Sequence, residues 1–201
     1  MLLRRFMTYL ETQDDAIFVE SMIRCFAAPV TCGVKCGSLL NLRRKGRDLR
    51  SSWPSLKDAM GRELSLKFAE MSSGCQSLLL LVYRDAPLLE AISSRGAREM
   101  LLEYGYEDGF CSPDPYIMEV ARRFSTGVIP HEVGLFLGYP HEDVRGFIEN
   151  GGRDSKLSGY WKVYGDVVGA LKKFEEFKKA EAESLAAMLE GAARMSQAEA
   201  A

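Results

Sequence analysis

The chain has 201 residues, of which 47% are apolar, and its 26 basic and 28 acidic residues leave a net charge of −2. Length and composition predict one domain with a sizeable core. The charge balance excludes the overall basic charge of a typical nucleic-acid-binding protein, although a local basic patch is still possible. The longest apolar run, residues 78–82, is too short to span a membrane.

The compartment is predicted from the start of the chain and from the cysteines. The first residues lack the apolar segment of a signal peptide. The five cysteines are odd in number, and a chain of this size needs no covalent staple. We therefore expect a reduced compartment and a cytoplasmic protein.

The first predicted helix covers residues 15–27, where apolar side chains recur at helical spacing. Asp14 or Asp15 is suited to cap its N-terminus, and Pro29 ends it because proline lacks the N–H that a helix interior needs. A short strand is expected next, over residues 35–42.

A basic loop follows at residues 43–50. Ser55 then begins a helix that is expected to run through Phe68 and to end at the Ser-Ser-Gly cluster of residues 72–74. Residues 76–84 contain the run Leu-Leu-Leu-Leu-Val-Tyr. A run this short and this apolar indicates a strand that is buried on both faces.

The middle of the chain is predicted to be helical. Residues 87–104 form a helix that is broken near residues 93–96, and a turn at residues 111–115 leads into a helix at about 116–124.

Residues 129–148 contain both histidines of the chain and repeat the phrase Pro-His-Glu, at residues 130–132 and 140–142. Each proline suits a helix start, and each glutamate falls in a first turn, where negative charge complements the helix dipole. The segment therefore predicts two short helices joined at Gly138 and Tyr139.

The last part of the chain predicts a strand at residues 160–164 and a long helix capped by Asp166. Glu175 and Lys179 are expected to pair on the outer face of this helix. Beyond about Ser184 the Ala/Glu-rich composition predicts fraying. The inward face is expected to hold three apolar side chains, namely Leu171, Phe174 and Phe177.

These elements predict the α+β class. About three short strands lie among roughly seven helices, as in a small, mostly helical domain with a long C-terminal helix. The predicted domain covers residues 1–180, and residues 181–201 form an Ala/Glu-rich tail that is either helical or frayed.

Three blocks of sequence carry a resemblance to a known family. They comprise residues 28–39, residues 79–84 with the Tyr-Gly-Tyr at 104–106, and the third block at residues 131–140, 143–150 and 159–166. Together they resemble a family of uncharacterised bacterial proteins, common in anaerobic Firmicutes, with a domain of unknown function. The resemblance covers about residues 15–180, its third block is specific, and it implies no particular activity.

The candidate site residues belong to these blocks. Lys35 begins one predicted strand and Arg84 ends another, so that neighbouring strands would bring two cations together near a helix N-terminus. Pro130 fixes a helix start, which would direct backbone N–H groups near Glu132 at a ligand beside His131. We therefore predict an anion site made by Lys35, Arg84, His131 and Glu132, against the alternative of a solvated lysine and a surface arginine.

No metal site is predicted. Cys32 and Cys36 have a spacing that would supply half of a zinc or iron–sulfur site, but no second pair follows. The zinc-protease pattern is absent, because no histidine comes four residues after His131. His131 and His141 would still share a metal if they met across the turn, and surface or capping roles are the alternative.

The leading function is a small-molecule or anion-binding accessory protein, with enzymatic activity left open and no cofactor or catalytic residue indicated. The alternative is a protein-interaction or regulatory module that docks through residues 130–150, using an apolar patch of Leu135, Phe136 and Phe147. Helix-turn-helix DNA binding is disfavoured, because the second helix of the pair is acidic. The oligomeric state is not indicated.

Overall fold

The structure is a computed structural model that describes residues 2–71 and 77–199, and side chains to residue 194. The helices are α1 (Leu2–Glu11), α2 (Asp15–Phe26), α3 (Ala28–Thr31), α4 (Trp53–Leu64), α5 (Asp85–Ser93), α6 (Arg95–Glu103), α7 (Asp114–Phe124), α8 (Val133–Phe136), α9 (His141–Glu149) and α10 (Val167–Glu199). The strands are β1 (Gly37–Leu42), β2 (Lys67–Glu70), β3 (Leu78–Tyr83), β4 (Leu157–Ser158) and β5 (Lys162–Val163).

The central sheet is antiparallel, with the strand order β1-β3-β2. Its register places Gly37 of β1 and Lys67 of β2 opposite Tyr83 of β3. Every residue of β3 is buried, as the apolar run predicted. The α+β class is confirmed, with 57% of the described residues helical and 11% in strands.

The two faces of β3 contribute to two different cores, because successive side chains point to opposite sides of a strand. Leu79, Leu81 and Tyr83 pack against apolar side chains of α5 to α9. Leu78, Leu80 and Val82 pack against α1 to α4 and the distal part of α10. Helices thus cover both faces of the sheet.

A third, smaller cluster forms where the β4–β5 hairpin meets α10. Trp161 is its centre, with the rings of Phe174 and Phe177 at centroid distances of 4.5 and 6.4 Å. Tyr139, from the loop between α8 and α9, stacks on Trp161 at 4.9 Å. This cluster attaches α8 and α9, through the loop that joins them, to α10.

Several predicted boundaries are confirmed. Asp14 caps α2, because its carboxylate accepts the Ile17 N–H at 2.8 Å. The predicted break near residues 93–96 falls at Ser94, whose extended backbone separates α5 from α6. Asp166 accepts the Gly169 N–H at 3.0 Å at the start of α10.

The predicted extension of α4 through Phe68 is wrong. The helix ends at Leu64, and Ser65 adopts a left-handed conformation with φ 53°. The chain then turns into β2, whose backbone groups pair with β3 and whose Phe68 ring packs edge-on against Trp53 at 5.0 Å. The predicted stop at residues 72–74 lies outside the described residues.

Two predictions for α10 are also wrong, namely that Leu171 faces the core and that Glu175 pairs with Lys179. Leu171 is 46% exposed, whereas Phe174 and Phe177 are buried as expected. Glu175 pairs with Lys178 at 3.0 Å. The helix continues past Ser184 to Glu199, and its buried Leu185 belongs to the same core as α2. Among the described residues, no helix combines the length and the apolar character that crossing a membrane requires.

Candidate functional site

Lys35 lies in the tight turn between α3 and β1. Gly33 allows this turn with a φ of 76°, a conformation that glycine adopts without steric cost. The backbone N–H groups of Val34 and Lys35 both donate to the Pro29 carbonyl at 3.0 Å. The turn therefore fixes where the Lys35 side chain leaves the backbone.

The Lys35 ammonium lies between two aromatic rings. Its Nζ is 5.5 Å from the Tyr139 centroid and 5.4 Å from the Phe177 centroid. Within the part of the chain that the structure describes, this ammonium makes no ion pair and no hydrogen bond. Burial lowers the pKa of Lys35 from 10.5 to about 8, although the charge of Glu181 opposes this shift.

Lys35 and Tyr139 line two cavities. The first, which we call the His141 cavity, has a volume of about 680 Å³ and also includes Lys173 in its wall. The second, the Glu181 cavity, has a volume of about 340 Å³. Both volumes suit small molecules, whose sites measure roughly 300–1,000 Å³.

The His141 cavity lies between the 33–36 turn, α5, α6 and the start of α9. His141 Nδ1 is 2.9 Å from a carboxylate oxygen of Glu142, and a side chain at Gly96 would collide with the imidazole ring. The Cys36 thiol donates to the Phe136 carbonyl at 3.6 Å. Burial raises the pKa of Cys36 to about 11, so the thiol is neutral and poorly suited to be a nucleophile.

The Glu181 cavity is open to solvent and is lined by residues of α2, β1 and α10 among others, of which half are apolar. Glu181 accepts a hydrogen bond from the Tyr160 hydroxyl at 2.8 Å. Burial raises the pKa of Glu181, while the Tyr160 hydrogen bond and the Lys35 charge lower it. Lys35 and Glu181 thus face one cavity with opposite charges, and they form no ion pair with each other.

Arg84 lies next to the Lys35 turn, because β1 and β3 are neighbours. Its guanidinium donates to the Thr31 carbonyl at 2.7 Å, and its backbone N–H donates to the Cys36 carbonyl at 3.4 Å. The Nε atom is buried and has no hydrogen-bond partner in the described part of the chain. Arg84 therefore supports the turn that forms the wall of the His141 cavity.

His131 lines a different cavity, of about 380 Å³, between α8, α9 and the β4–β5 hairpin. Its exposed ring packs edge-on against Phe147 at 5.0 Å. Glu132 is 3% exposed and pairs with Arg123 at 3.0 Å, and it accepts the Tyr106 hydroxyl at 3.2 Å. The structure brings Lys35 and Arg84 together but gives His131 and Glu132 other surroundings.

Asp143 connects two of the three parts of the third resemblance block, residues 143–150 and 159–166. It is 2% exposed, and one carboxylate oxygen accepts the Trp161 indole N–H at 2.7 Å. The other oxygen accepts the backbone N–H groups of Tyr164 and Gly165, each at 2.7 Å. Both oxygens are used, so the role of Asp143 is to hold the β4–β5 hairpin against α9.

The family of the chain is decided by a match over residues 23–197 to DUF3793, a family described as a protein of unknown function. The chain belongs to the DUF3793 family. The match confirms the predicted uncharacterised domain family, and it extends beyond residue 180 into the predicted tail. No curated protein and no solved structure matches the chain significantly.

The cysteines of this DUF3793 chain that the structure describes are all free. Cys32 is exposed and Cys36 is buried, and Cys75 lies outside the described residues. The described residues include no group of three or more histidine, cysteine, aspartate or glutamate side chains placed to hold a metal ion.

The basic loop contributes to packing near α1 and α2. Arg44 and Arg47 both pair with Asp15, at 3.0 and 3.1 Å. Arg44 also donates to the backbone carbonyls of Leu10 and Glu11 and lies over the Phe18 ring. These two arginines are therefore engaged within the protein.

No sequence pattern identifies the residues that surround Lys35. The sequence predicts Tyr139 in a helix connection, Phe177 in the core and His141 in a surface or metal-binding role. Lys173 and Glu181 belong to α10, far from Lys35 in the sequence. No local pattern connects them, although Glu181 falls one helical turn after Phe177, on the same face of α10.

Proposed function

We propose that this protein binds a small organic anion through the Lys35 ammonium and acts as a ligand-binding accessory protein. The observation that carries the proposal is the position of Lys35: its ammonium lies between Tyr139 and Phe177, lines two cavities and has no carboxylate partner among the described residues.

The charge of the Lys35 ammonium is not fully compensated by the described residues. Removing an ammonium from water disfavours its charged form unless an anion compensates, and the lowered pKa of Lys35 reflects this cost. The aromatic rings supply part of the compensation through cation–π contacts. A bound carboxylate or phosphate would supply the rest, so the site favours an anionic ligand over a neutral one.

Arg84 and His131, which the sequence predicts as ligand contacts, are not assigned direct contact with the ligand in this proposal. Arg84 positions the Lys35 turn through the Thr31 carbonyl. His141 and Lys173 line the larger cavity beside Lys35 and replace His131 as candidate ligand contacts. We also propose a cytoplasmic location, which the free state of the described cysteines supports.

The docking alternative has less support. Leu135 is 2% exposed and Phe136 is fully buried, and both belong to the core beside β3. The apolar patch that would dock a partner is therefore not presented by these residues. Helix-turn-helix DNA binding is likewise less favoured, because Arg44 and Arg47 pair with Asp15.

The test is thermal unfolding at neutral pH and constant ionic strength, with acetate, 4-methylpentanoate or inorganic phosphate added. We expect at least one anion to raise the melting temperature in proportion to the logarithm of its concentration above its Kd. Lys35→Met should lose this response. Lys172→Met, which removes an exposed lysine of α10, should keep it. An equal response of the wild type and Lys35→Met, or no response of the wild type to any of the three, would overturn the proposal.

A further inference from the structure

We infer that the ligand of the Glu181 cavity is an α-amino acid with an apolar side chain, bound as a zwitterion between Lys35 and Glu181. The inference rests on the proposed function, because it assigns the ligand carboxylate to Lys35. It adds a contact between the ligand ammonium and Glu181, and it specifies that the ligand side chain is apolar.

The first argument is the arrangement of charge. Lys35 and Glu181 both line this cavity of about 340 Å³. They interact electrostatically, since the charge of each shifts the pKa of the other, yet they form no ion pair. Two opposite charges that face one cavity without direct contact complement a ligand that carries both charges. A simple carboxylate would compensate Lys35 and leave Glu181 without a cation.

The second argument is the orientation of Glu181. The Tyr160 hydroxyl donates to Oε2 at 2.8 Å, and this bond holds the carboxylate on the cavity wall. No bond occupies Oε1 within the described residues. An ammonium group can therefore donate to Oε1 without displacing Tyr160. Tyr160 is itself held by ring contacts with Phe174 and Phe177 at 5.6 and 5.2 Å.

The third argument is the chemistry of the remaining wall. Half of the residues that line the cavity are apolar, namely Met22, Phe26, Leu39, Leu40, Leu42 and Leu137. Apolar surface of this kind favours an aliphatic side chain over a charged one, because burial removes apolar area from water. The cavity volume lies at the lower end of the range for small-molecule sites. A single amino acid of the leucine type therefore fits the site better than a peptide.

The experiment compares three probes by calorimetric titration at neutral pH: leucine, 4-methylpentanoate, which lacks the ammonium group, and 3-methylbutylamine, which lacks the carboxylate. We expect leucine to bind at least about tenfold more tightly than either analogue, since each lost charge pair costs more than about 1.4 kcal/mol. Glu181→Gln should abolish the preference for leucine over 4-methylpentanoate, and it should not weaken 4-methylpentanoate binding, because it removes a negative charge that faces the same cavity.

Glu183→Gln is the matched control, because Glu183 is exposed on the same helix; this variant should bind leucine like the wild type. Tyr160→Phe provides a second test, since it keeps the ring but removes the hydrogen bond to Glu181, and it should weaken leucine binding selectively. Equal affinities for leucine and 4-methylpentanoate, with 4-methylpentanoate still dependent on Lys35, would overturn the inference and leave the proposed function standing. Leucine binding that survives Lys35→Met would overturn both.

Discussion

At the scale of single residues, Lys35 is unusual because its ammonium is largely removed from solvent, in a half-buried residue, without an ionic partner among the described residues. Lysine is rarely buried without a partner, since desolvation disfavours the ammonium. A turn fixed by Pro29 and Gly33 nevertheless directs it between Tyr139 and Phe177. The protein retains a residue that opposes its own stability, as expected where a side chain serves binding.

We predict that Lys35→Met stabilises the ligand-free protein. The folded-state pKa of Lys35, about 8, lies below its ordinary 10.5, so the unfolded state holds more protons between these values. The penalty is therefore complete below pH 8 and disappears as the pH rises toward 10.5. The variant should gain about 1–3 kcal/mol in unfolding free energy at neutral pH and less at high pH. Urea unfolding across this range measures it, and a loss of stability at neutral pH would contradict it.

A second residue-scale prediction concerns Asp143. Asparagine has one acceptor oxygen, so Asp143→Asn directs an amide NH₂ at the Trp161 indole or at the backbone N–H groups of Tyr164 and Gly165. Leaving buried donors unsatisfied should cost about 1–3 kcal/mol. Chemical denaturation measures the loss. Asp58→Asn, at an exposed position of α4, should change stability little, and equal effects of the two substitutions would refute the role given to Asp143.

The sequence predicts that Lys35 and Arg84 lie close together in the candidate site, but it does not predict the residues that α10 contributes. Lys35 and Arg84 flank predicted strands, and the pairing of Gly37 with Tyr83 places them close together. Phe177 and Glu181 approach Lys35 from α10, and this arrangement depends on how α10 packs against α2 and α3. Such packing is a tertiary property that local spacing does not encode.

At the scale of elements, β3 organises the fold because both of its faces are covered. Its six consecutive apolar or aromatic residues identified it in the sequence, whereas β2 is four residues long and contains Lys67 and Glu70. A segment of four residues is too short to show the alternation of apolar and polar side chains that indicates a strand. Phe68 also continues the helical spacing of the apolar residues of α4, so the predicted helix runs into β2. Helix α1 was not predicted, although its buried Phe6 and Leu10 have the four-residue spacing of a helix face.

The central position of β3 leads to a prediction for Leu80. This side chain is fully buried in the core beside α2 and α4. Leu80→Ala should lower the free energy of unfolding by about 2–5 kcal/mol, the usual cost of truncating a buried leucine. Leu102→Ala on α6, where the side chain is 47% exposed, is the comparison. A melting temperature that Leu80→Ala leaves unchanged would show that the sheet is misplaced.

The distal part of α10 leads to a prediction that uses two leucines of one helix. Leu185 is 7% exposed in the core shared with α1 and α2, and the neighbouring Ser184 hydroxyl donates to the Arg24 carbonyl at 3.0 Å. Leu185→Ala should cost about 2–4 kcal/mol, and Leu171→Ala less than about 1 kcal/mol. Differential scanning calorimetry compares them. If Leu171→Ala were the more harmful, the assigned faces of α10 would be wrong.

At the scale of the whole molecule, α10 connects the β4–β5 hairpin with the core formed by α1 to α4, which are far apart in the sequence. Its first half packs with the β4–β5 hairpin through Phe174 and Phe177, and its distal half joins the core of α1 to α4 through Leu185. Lys35 and Tyr139 lie beside this helix, between the two cavities. The fold therefore places Lys35, a cation without an ionic partner among the described residues, where the 33–36 turn, the connection between α8 and α9, and α10 come together.

The most direct test of the Lys35 site is the titration of its side chain by NMR in protein labelled with ¹³C-lysine, with the resonance assigned by its absence in Lys35→Met. We predict that the ε-carbon reports a pKa of about 8 without ligand, and a higher pKa when 4-methylpentanoate saturates the site, because a nearby anion favours the ammonium. A Lys35 resonance that titrates near the ordinary lysine value of 10.5, or that is unchanged by the ligand, would contradict the account.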